Sequence, residues 1–435
     1  MAESTTLHSA RASLCALGEY LRRHAFFASL QQHVQIPQKT IKYRPVEKLL
    51  DALVGMRCGA KTIAQSNVTV RVDPAVQRAF GRKGCADQST IARTLQAGTP
   101  QTVEQLEQVS WYYLKRYGHT PRHRFRERLL WVDIDLTPLP AGAKAEGSER
   151  TWMGRCRSKT GRKVLRVTAS DYREILHETL LRGKAAGGPA LKAAVQEVED
   201  HLGWTRERRP RIVLRLDGGF GTTAILNWLL SRGYQVVAKI SNSSRVRTLR
   251  QQLGPWPPTS SPGREIADVL HPHRFCRKTR QWVLRTPKQK GGGYQYGALV
   301  TTLPELTPVA VADAYDGRAM IEASFCQDKQ GLGIVKRRQH YWEAQQLVLL
   351  LARLAHHLLV WSKQWLSRLP QLQHRLRGYG VVRLLQEVWT VPGVLHWEQG
   401  WLVSVRFDPL HPLARLLQCG FAALFGDRVV VRCLR

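Results

Sequence analysis

Acidic residues are the scarce class in this chain: 33 Asp plus Glu stand against 66 Lys plus Arg, a formal net charge of +33 over 435 residues. A surface this short of carboxylates attracts polyanions by Coulomb force and by releasing their condensed counterions, so nucleic acid is the leading partner. Paired cysteines are also lacking. Cys15, Cys58, Cys85, Cys156, Cys276, Cys326, Cys419 and Cys433 are scattered without a C-x-x-C spacing, which excludes a disulfide scaffold and fits reduced thiols. His271, His273 and Cys276 have no fourth ligand nearby, one short of a structural zinc site. No hydrophobic run is long enough for a bilayer. The longest, Leu347 to Trp361, is interrupted by Arg353, His356 and His357 and falls short of the about 20 residues that a span needs. Met1 to Ala10 shows no basic region followed by an apolar stretch, so no signal peptide is expected and the expected compartment is a cytoplasm. Heptads, repeats and low-complexity tracts are absent, which excludes coiled-coil, collagen-like and disordered classes.

What is present is a core-sized chain. Hydrophobic residues make up 43% and there are 13 Trp, more than a ribosome-like scaffold needs and enough for two or three domains. Residues 1–120 read as a helical, DNA-binding region. Thr99 and Pro100 form an N-cap with Pro at the first helical position, and the apolar spacing Val103, Leu106, Val109, Tyr113 runs to a stop at Gly118. A short upstream helix, Asp87 to Leu95, with Arg78, Arg82, Lys83 and Arg93 around it, allows either a helix-turn-helix contact with DNA or a plain helical bundle.

The pattern changes at Leu129, where Leu-Leu-Trp-Val-Asp-Ile-Asp is a buried-strand run ending in carboxylates. Strands are expected over Trp152–Arg157 and Lys163–Thr168, joined by a turn at Ser158-Lys159-Thr160-Gly161, followed by a helix from Pro189 to Leu202. Arg211 to Asp217 is a second buried strand ending in an Asp. Gly218-Gly219 leads from it to a helix at Thr222–Leu230 and a strand at Tyr234–Ile240. Strand, helix, strand with Asp at the strand's carboxyl end is how α/β folds present acids to a ligand.

Lys239 to Lys290 carries 12 Lys or Arg against only Glu265 and Asp268, mixed with Trp256, Phe275 and Trp282. Basic and aromatic residues together suit a groove that tracks phosphates and stacks an exposed base, with Trp256, Trp282, Arg277, Lys278 and Arg280 as the candidate DNA contacts. After a strand at Tyr296–Thr302, a helical region begins near Val311, and Tyr341–Leu366 reads as a core helix.

The most specific feature is Tyr315, Arg318, Glu322 and Lys329, spaced by three, four and seven. On one helix these side chains fall within about 60° of each other along about 21 Å, a polar ridge, with Ala319, Met320 and Phe325 left for packing. An ordinary salt-bridged surface helix would show the same Arg318–Glu322 spacing. Together with Asp135 and Asp217, however, the set resembles the catalytic triad of DDE transposases from bacterial insertion sequences, in the subgroup with the Tyr-Arg-Glu-Lys signature helix. The resemblance extends from about Leu129 to Leu359.

That resemblance implies an α/β fold: an RNase H-like mixed five-stranded sheet with flanking helices, interrupted by a β-rich insertion domain. The implied layout is a core over 125–240 and 306–368, a basic insertion over 241–305, and a C-terminal region over 369–435 for dimerisation or DNA contact. It implies cut-and-paste transposition through cleavage at terminal inverted repeats, with a hairpin on the second strand, by a homodimer in a synaptic complex. Asp135, Asp217 and Glu322 would hold two Mg²⁺ ions, or Mn²⁺, Asp135 bridging both. Hard cations take hard oxygen ligands, and two ions about 3.5 to 4 Å apart can serve an in-line phosphoryl displacement. Tyr315, Arg318 and Lys329 would grip phosphates. Asp133 and Asp135 lie two apart and face the same side of a strand; the family motif, with Thr137 two residues on, favours Asp135. An inactive DNA-binding descendant and an RNase H-like nuclease without strand transfer are the competing readings.

Overall fold

The computed structural model describes residues 4–153, 156–251, 253–288 and 291–434. Its strands are β1 (Ser4–Ser9), β2 (Leu130–Pro140), β3 (Glu149–Met153), β4 (Cys156–Ala169), β5 (Glu174–Leu181), β6 (Ile212–Leu216) and β7 (Gln235–Lys239). They continue with β8 (Glu265–Asp268), β9 (Arg280–Pro287), β10 (Tyr294–Thr301), β11 (Gly393–Glu398), β12 (Trp401–Phe407) and β13 (Val430–Cys433). The chain divides into two compact units. One holds Met1–Tyr117, Leu139–Arg162 and Ser324–Arg435; the other holds Gly118–Pro138 and Lys163–Ala323.

In the first unit the N-terminal stretch is not wholly helical, as had been expected: β1 pairs antiparallel with β11, Leu7 opposite Leu395. The sheet continues through β12 to β13, so residues expected at two separate ends of the chain share one sheet. The helices follow local rules. Asp87 caps Gln88–Gln96 by accepting from the amides of Ser89 and Thr90, and Thr99 accepts from Thr102 at 3.2 Å where Pro100–Tyr117 begins. Trp342–Leu366 is long and apolar enough to cross a membrane by composition, yet it lies buried, with Arg353 reaching Glu107 at 3.5 Å. A buried helix that carries an ion pair reads as the unit's core. The buried thiols of Cys58 and Cys85 are pushed up to about 12 by burial.

In the second unit the strands lie in the order β5, β4, β2, β6, β7, β10, β9, β8. β2, β6 and β7 are parallel neighbours, and their largely apolar runs are what burial on both faces demands. All five residues of β6 are buried. The turn expected at Ser158–Gly161 is absent: β4 runs straight through, with Gly161 opposite Glu149 and Lys163 opposite Leu181. Pairing on both flanks overrides the turn-like composition. Gly154 and Arg155, inside the expected Trp152–Arg157 strand, lie outside the described residues, as does Lys290. The helix Gly187–Leu202 ends at Gly203 with φ +60°, the left-handed cap that glycine adopts without penalty.

The basic segment is less independent than its composition suggested. β10 pairs antiparallel with β7, Val300 opposite Ala238, and β9 and β8 follow outward. These strands therefore extend the central sheet. Trp282 is fully buried there among Ile266, Leu284, Leu299, Val311 and Ala312. This corrects its expected place as a stacking platform, because no ring face is left for a base.

Candidate active site

The site is built on the parallel pair β2 and β6. Their register sets Asp133 opposite Arg215 and Ile134 opposite Leu216, and Asp135 and Asp217 follow next on neighbouring strands. Strands in such a pair lie about 4.8 Å apart, so the two carboxylates are neighbours. Asp217 immediately follows β6, as expected. Asp135 does not end its strand, since β2 continues to Pro140.

Two-residue periodicity left Asp133 and Asp135 equivalent, and the structure separates them. Asp133 is fully buried and takes a two-pronged hydrogen bond from Arg215, Nε to Oδ1 at 2.6 Å and Nη2 to Oδ2 at 2.9 Å. Ser170 adds a hydroxyl at 2.5 Å. Burial pushes the Asp133 carboxyl up, against the pull of Arg215. With its oxygens filled by protein donors, Asp133 is a structural anchor. The remaining Arg215 nitrogen donates to the Ala314 carbonyl at 2.9 Å, near the end of the helix Pro308–Asp316.

That helix stops at Gly317, and a second one, Ala319–Gly331, begins two residues later. The single helix expected to carry Tyr315, Arg318, Glu322 and Lys329 is thus two helices with Arg318 in the break. Arg215 packs tightly against the break: a Cβ on Gly317 would sit 2.2 Å from its Nη1, so a larger residue there would displace the guanidinium. Ala319 and Met320, expected to pack, are exposed, while Ile321 and Phe325 are buried.

The break aims Arg318 at the acids. Its Nη1 donates to Asp135 Oδ2 at 3.0 Å and its Nη2 to Glu322 Oε1. Asp135 also accepts from the Leu136 amide at 2.8 Å, and Asp217 from the Gly219 amide at 2.9 Å. Burial pushes the Asp135 carboxyl up to about 6, opposed by Arg318 and reinforced by Asp217 and Glu322. Tyr315 is half-buried against Val213, Val237 and Leu303, and its phenol is raised by burial against the pull of Arg318. Lys329 lies two turns beyond Glu322 with its ammonium 5.9 Å from the Phe325 ring. The Gly-rich turn after Asp217 is tight: a Cβ on Gly221 would fall 1.7 Å from the Lys239 carbonyl.

Because Asp135 titrates higher folded than unfolded (about 4), the folded state binds the proton first as pH falls. The metal-free protein is therefore expected to lose stability as pH rises from about 4 to about 6, by up to about 3 kcal/mol, and to stay level above that. Urea midpoints across pH 4–7 check this. The fall should shrink in Asp135→Asn; an equal fall in both proteins contradicts the assignment.

Around the expected DNA contacts the structure is selective. Arg277 and Lys278 are exposed, whereas Arg280 is bonded to Asp268 at 3.2 Å and to the carbonyls of Pro304 and Leu306. Trp256 is half-buried, with the Arg285 guanidinium 4.3 Å from its ring. Sequence reading missed its neighbours. Arg285 also lies 4.8 Å from the Tyr294 ring, and Arg250 lies 3.5 Å from that of Tyr296. Arg215 was missed as well. Its signal was present: Asp133-x-Asp135 and Arg215-x-Asp217 come into line once β2 and β6 are paired.

Asp135 and Asp217 lie side by side on neighbouring strands, and the Arg318 guanidinium joins Asp135 to Glu322. The chain belongs to the family described as Transposase DDE domain group 1, which matches residues 7–377. It is a DNA transposase, an enzyme that cleaves DNA and transfers the strand, and enzymes of this family use divalent metal ions. No curated protein matches it. Among solved structures, a piggyBac transposase synaptic complex with hairpin DNA is similar at 10% identity and a TM-score of 0.46, covering 97% of this chain and 84% of that one. A pre-cleavage Mos1 transpososome is similar at 11% identity and a TM-score of 0.17, covering 46% and 60%.

Proposed function

We propose that the chain is a cut-and-paste transposase whose core is RNase H-like and whose triad is Asp135, Asp217 and Glu322. The observation that carries this reading is the arrangement of the three acids about Arg318. The core order β5, β4, β2, β6, β7, with the last three parallel, supports it.

The donor set fits a hard divalent cation: three carboxylates, no thiol or imidazole among them, and a guanidinium already placed as counter-charge between two. Asp135, Asp217 and Glu322 would hold Mg²⁺, or Mn²⁺, through their carboxylate oxygens. When bound, such ions supply activation of the attacking oxygen and charge stabilisation of the leaving one. Arg318, exchanged from the carboxylates onto a phosphate, offers a planar fork to two of its oxygens. Tyr315 and Lys329 would position the flanking backbone. The burial of Asp135 helps to exclude bulk water from the reacting phosphate.

Trp256, Tyr294 and Tyr296, layered with Arg250 and Arg285, form an exposed surface suited to stacking unpaired bases. Second-strand cleavage through a hairpin requires such a surface, and a homodimer on paired transposon ends is the proposed working form.

Incubation with Mg²⁺ and a duplex carrying the terminal repeats of the encoding element tests this. Cleavage at the repeat boundary, with fold-back products of double length on denaturing gels, is expected. Binding without nicking in any metal would sink the reading in favour of an inactive descendant, and cleavage without joined products would favour a plain nuclease.

A further inference from the structure

The second unit carries its acids at one end of the parallel strands and a dense set of arginines at the other. The segment leading into β2 holds His119, Arg122, His123, Arg124, Arg126 and Arg128, and the one leading into β6 holds Arg206, Arg208, Arg209 and Arg211. Only Glu127 and Glu207 interrupt them. The two segments are joined: Arg211 Nε donates to the Phe125 carbonyl at 2.8 Å, and the Arg208 guanidinium lies 5.7 Å from the Phe125 ring.

We propose that this arginine cluster is a second binding site for the DNA phosphate backbone, separate from the catalytic carboxylates. It rests on DNA being the partner and not on the triad assignment.

Three observations carry it. Three of its arginines, Arg122, Arg124 and Arg128, line a cleft of about 380 Å³ together with His119, Glu127 and Tyr172, and the others flank it in sequence. Its walls are fixed from beneath. Buried Glu174 accepts from the amides of His119 and Thr120 at 2.7 and 2.9 Å and from the Thr120 hydroxyl at 2.6 Å. Arg128 is held against the Tyr172 hydroxyl at 2.6 Å, and His123 Nδ1 meets the same oxygen at 2.9 Å.

Arginine in excess of structural need is the second observation. Arg211, Arg209 and Arg208 spend donors on the fold, Arg209 through Glu199 at 3.2 Å and Arg208 through the Gly203 carbonyl at 3.1 Å. Arg124, Arg126, Arg206 and Arg208 are exposed. The Arg124–Glu127 pair, at 3.2 Å, is open to water on both sides and is worth little, so a phosphate can compete for that guanidinium.

Position is the third. From Arg128 to Asp135 the chain advances seven residues, mostly along β2 at about 3.3 Å each, or roughly 20 Å. A phosphate in the cleft is therefore not the one being cut. It belongs either to a distal stretch of the same duplex or to another duplex. In both cases recognition is of backbone charge, because a contact to phosphate carries no sequence information.

The test uses the full chain without divalent metal and a labelled 40-bp duplex of random sequence, titrated by fluorescence anisotropy over a salt series. The variant combines Arg124→Ser, Arg126→Ser, Arg206→Ser and Arg208→Ser. Its slope of log affinity against log salt should be shallower by about 2 to 4, at about 0.9 for each lost phosphate contact. The corresponding four Arg→Lys changes should restore most of the slope. An unchanged slope in a serine variant that melts like wild type overturns the proposal, as does failure of lysine to restore it. A stoichiometric titration with the 40-bp duplex separates the sources: wild type and serine variant take up the same number of duplexes per chain if the site holds the distal part of one duplex, and the serine variant takes up one fewer if it holds a second. Failure of the catalytic reading would appear elsewhere, as no Mg²⁺-dependent cleavage by the wild-type protein.

Discussion

Glu322→Gln and Asp135→Asn are each expected to lower single-turnover DNA cleavage in Mg²⁺ about a thousandfold or more while leaving DNA binding intact. Each swap keeps the side-chain volume and removes one charged ligand oxygen from the proposed metal site. Metal-based charge stabilisation is worth several kcal/mol, and about 4 kcal/mol corresponds to a thousandfold. Folding should tolerate the Glu322 change, because its side chain is 58% exposed. Binding to a terminal-repeat duplex should hold or strengthen slightly, since a negative charge is lost beside a polyanion. Cleavage rates within tenfold of wild type for either variant would remove that residue from the triad. Equal loss of binding and cleavage would point to misfolding.

Asp133→Ala should behave in the opposite way, as a stability mutation. It leaves Arg215 buried against β2 with its main acceptor gone, and breaking a buried pair from one side costs about 3 to 5 kcal/mol. Arg215→Leu should cost a similar amount by stranding Asp133. The double variant Asp133→Leu with Arg215→Leu should be less destabilised than the sum of the two single losses, because neither charge is left alone. Urea unfolding of the three proteins measures the coupling directly. A loss below about 1 kcal/mol for Asp133→Ala would show that the pair is not the anchor described. Cleavage should also fall in Asp133→Ala, through Arg215, Ala314 and the break that places Arg318.

Much of the candidate site was legible because its determinants are local. Central parallel strands must be apolar on both faces, so Leu129 to Asp135 and Arg211 to Asp217 stood out, and an Asp closing such a run is conspicuous. The Glu at a fixed distance after Arg318 needed only helical spacing to be noticed. Other features depend on partners far away in sequence. The Ser158–Gly161 segment has turn composition, but strands on both sides hold it extended. Trp282 looks like a base platform beside Arg277, Lys278 and Arg280 until β8, β9 and β10 are packed under the helix Pro308–Asp316. The signature helix looks continuous in sequence, whereas the fold divides it at Gly317 and Arg318.

By itself the sequence determined the chemistry: a polyanion-seeking chain with three carboxylates of the kind that hard cations and phosphodiesters call for. The tertiary structure alone separates the two acids of β2. Asp133 and Asp135 share a strand face, so no local rule separates them. The register of β2 against β6 sets Arg215 opposite Asp133 and leaves Asp135 beside Asp217 with Arg318 as counter-charge. Register belongs to two segments some 80 residues apart, and burial on that shared face turns one carboxylate into an anchor and the other into a candidate ligand.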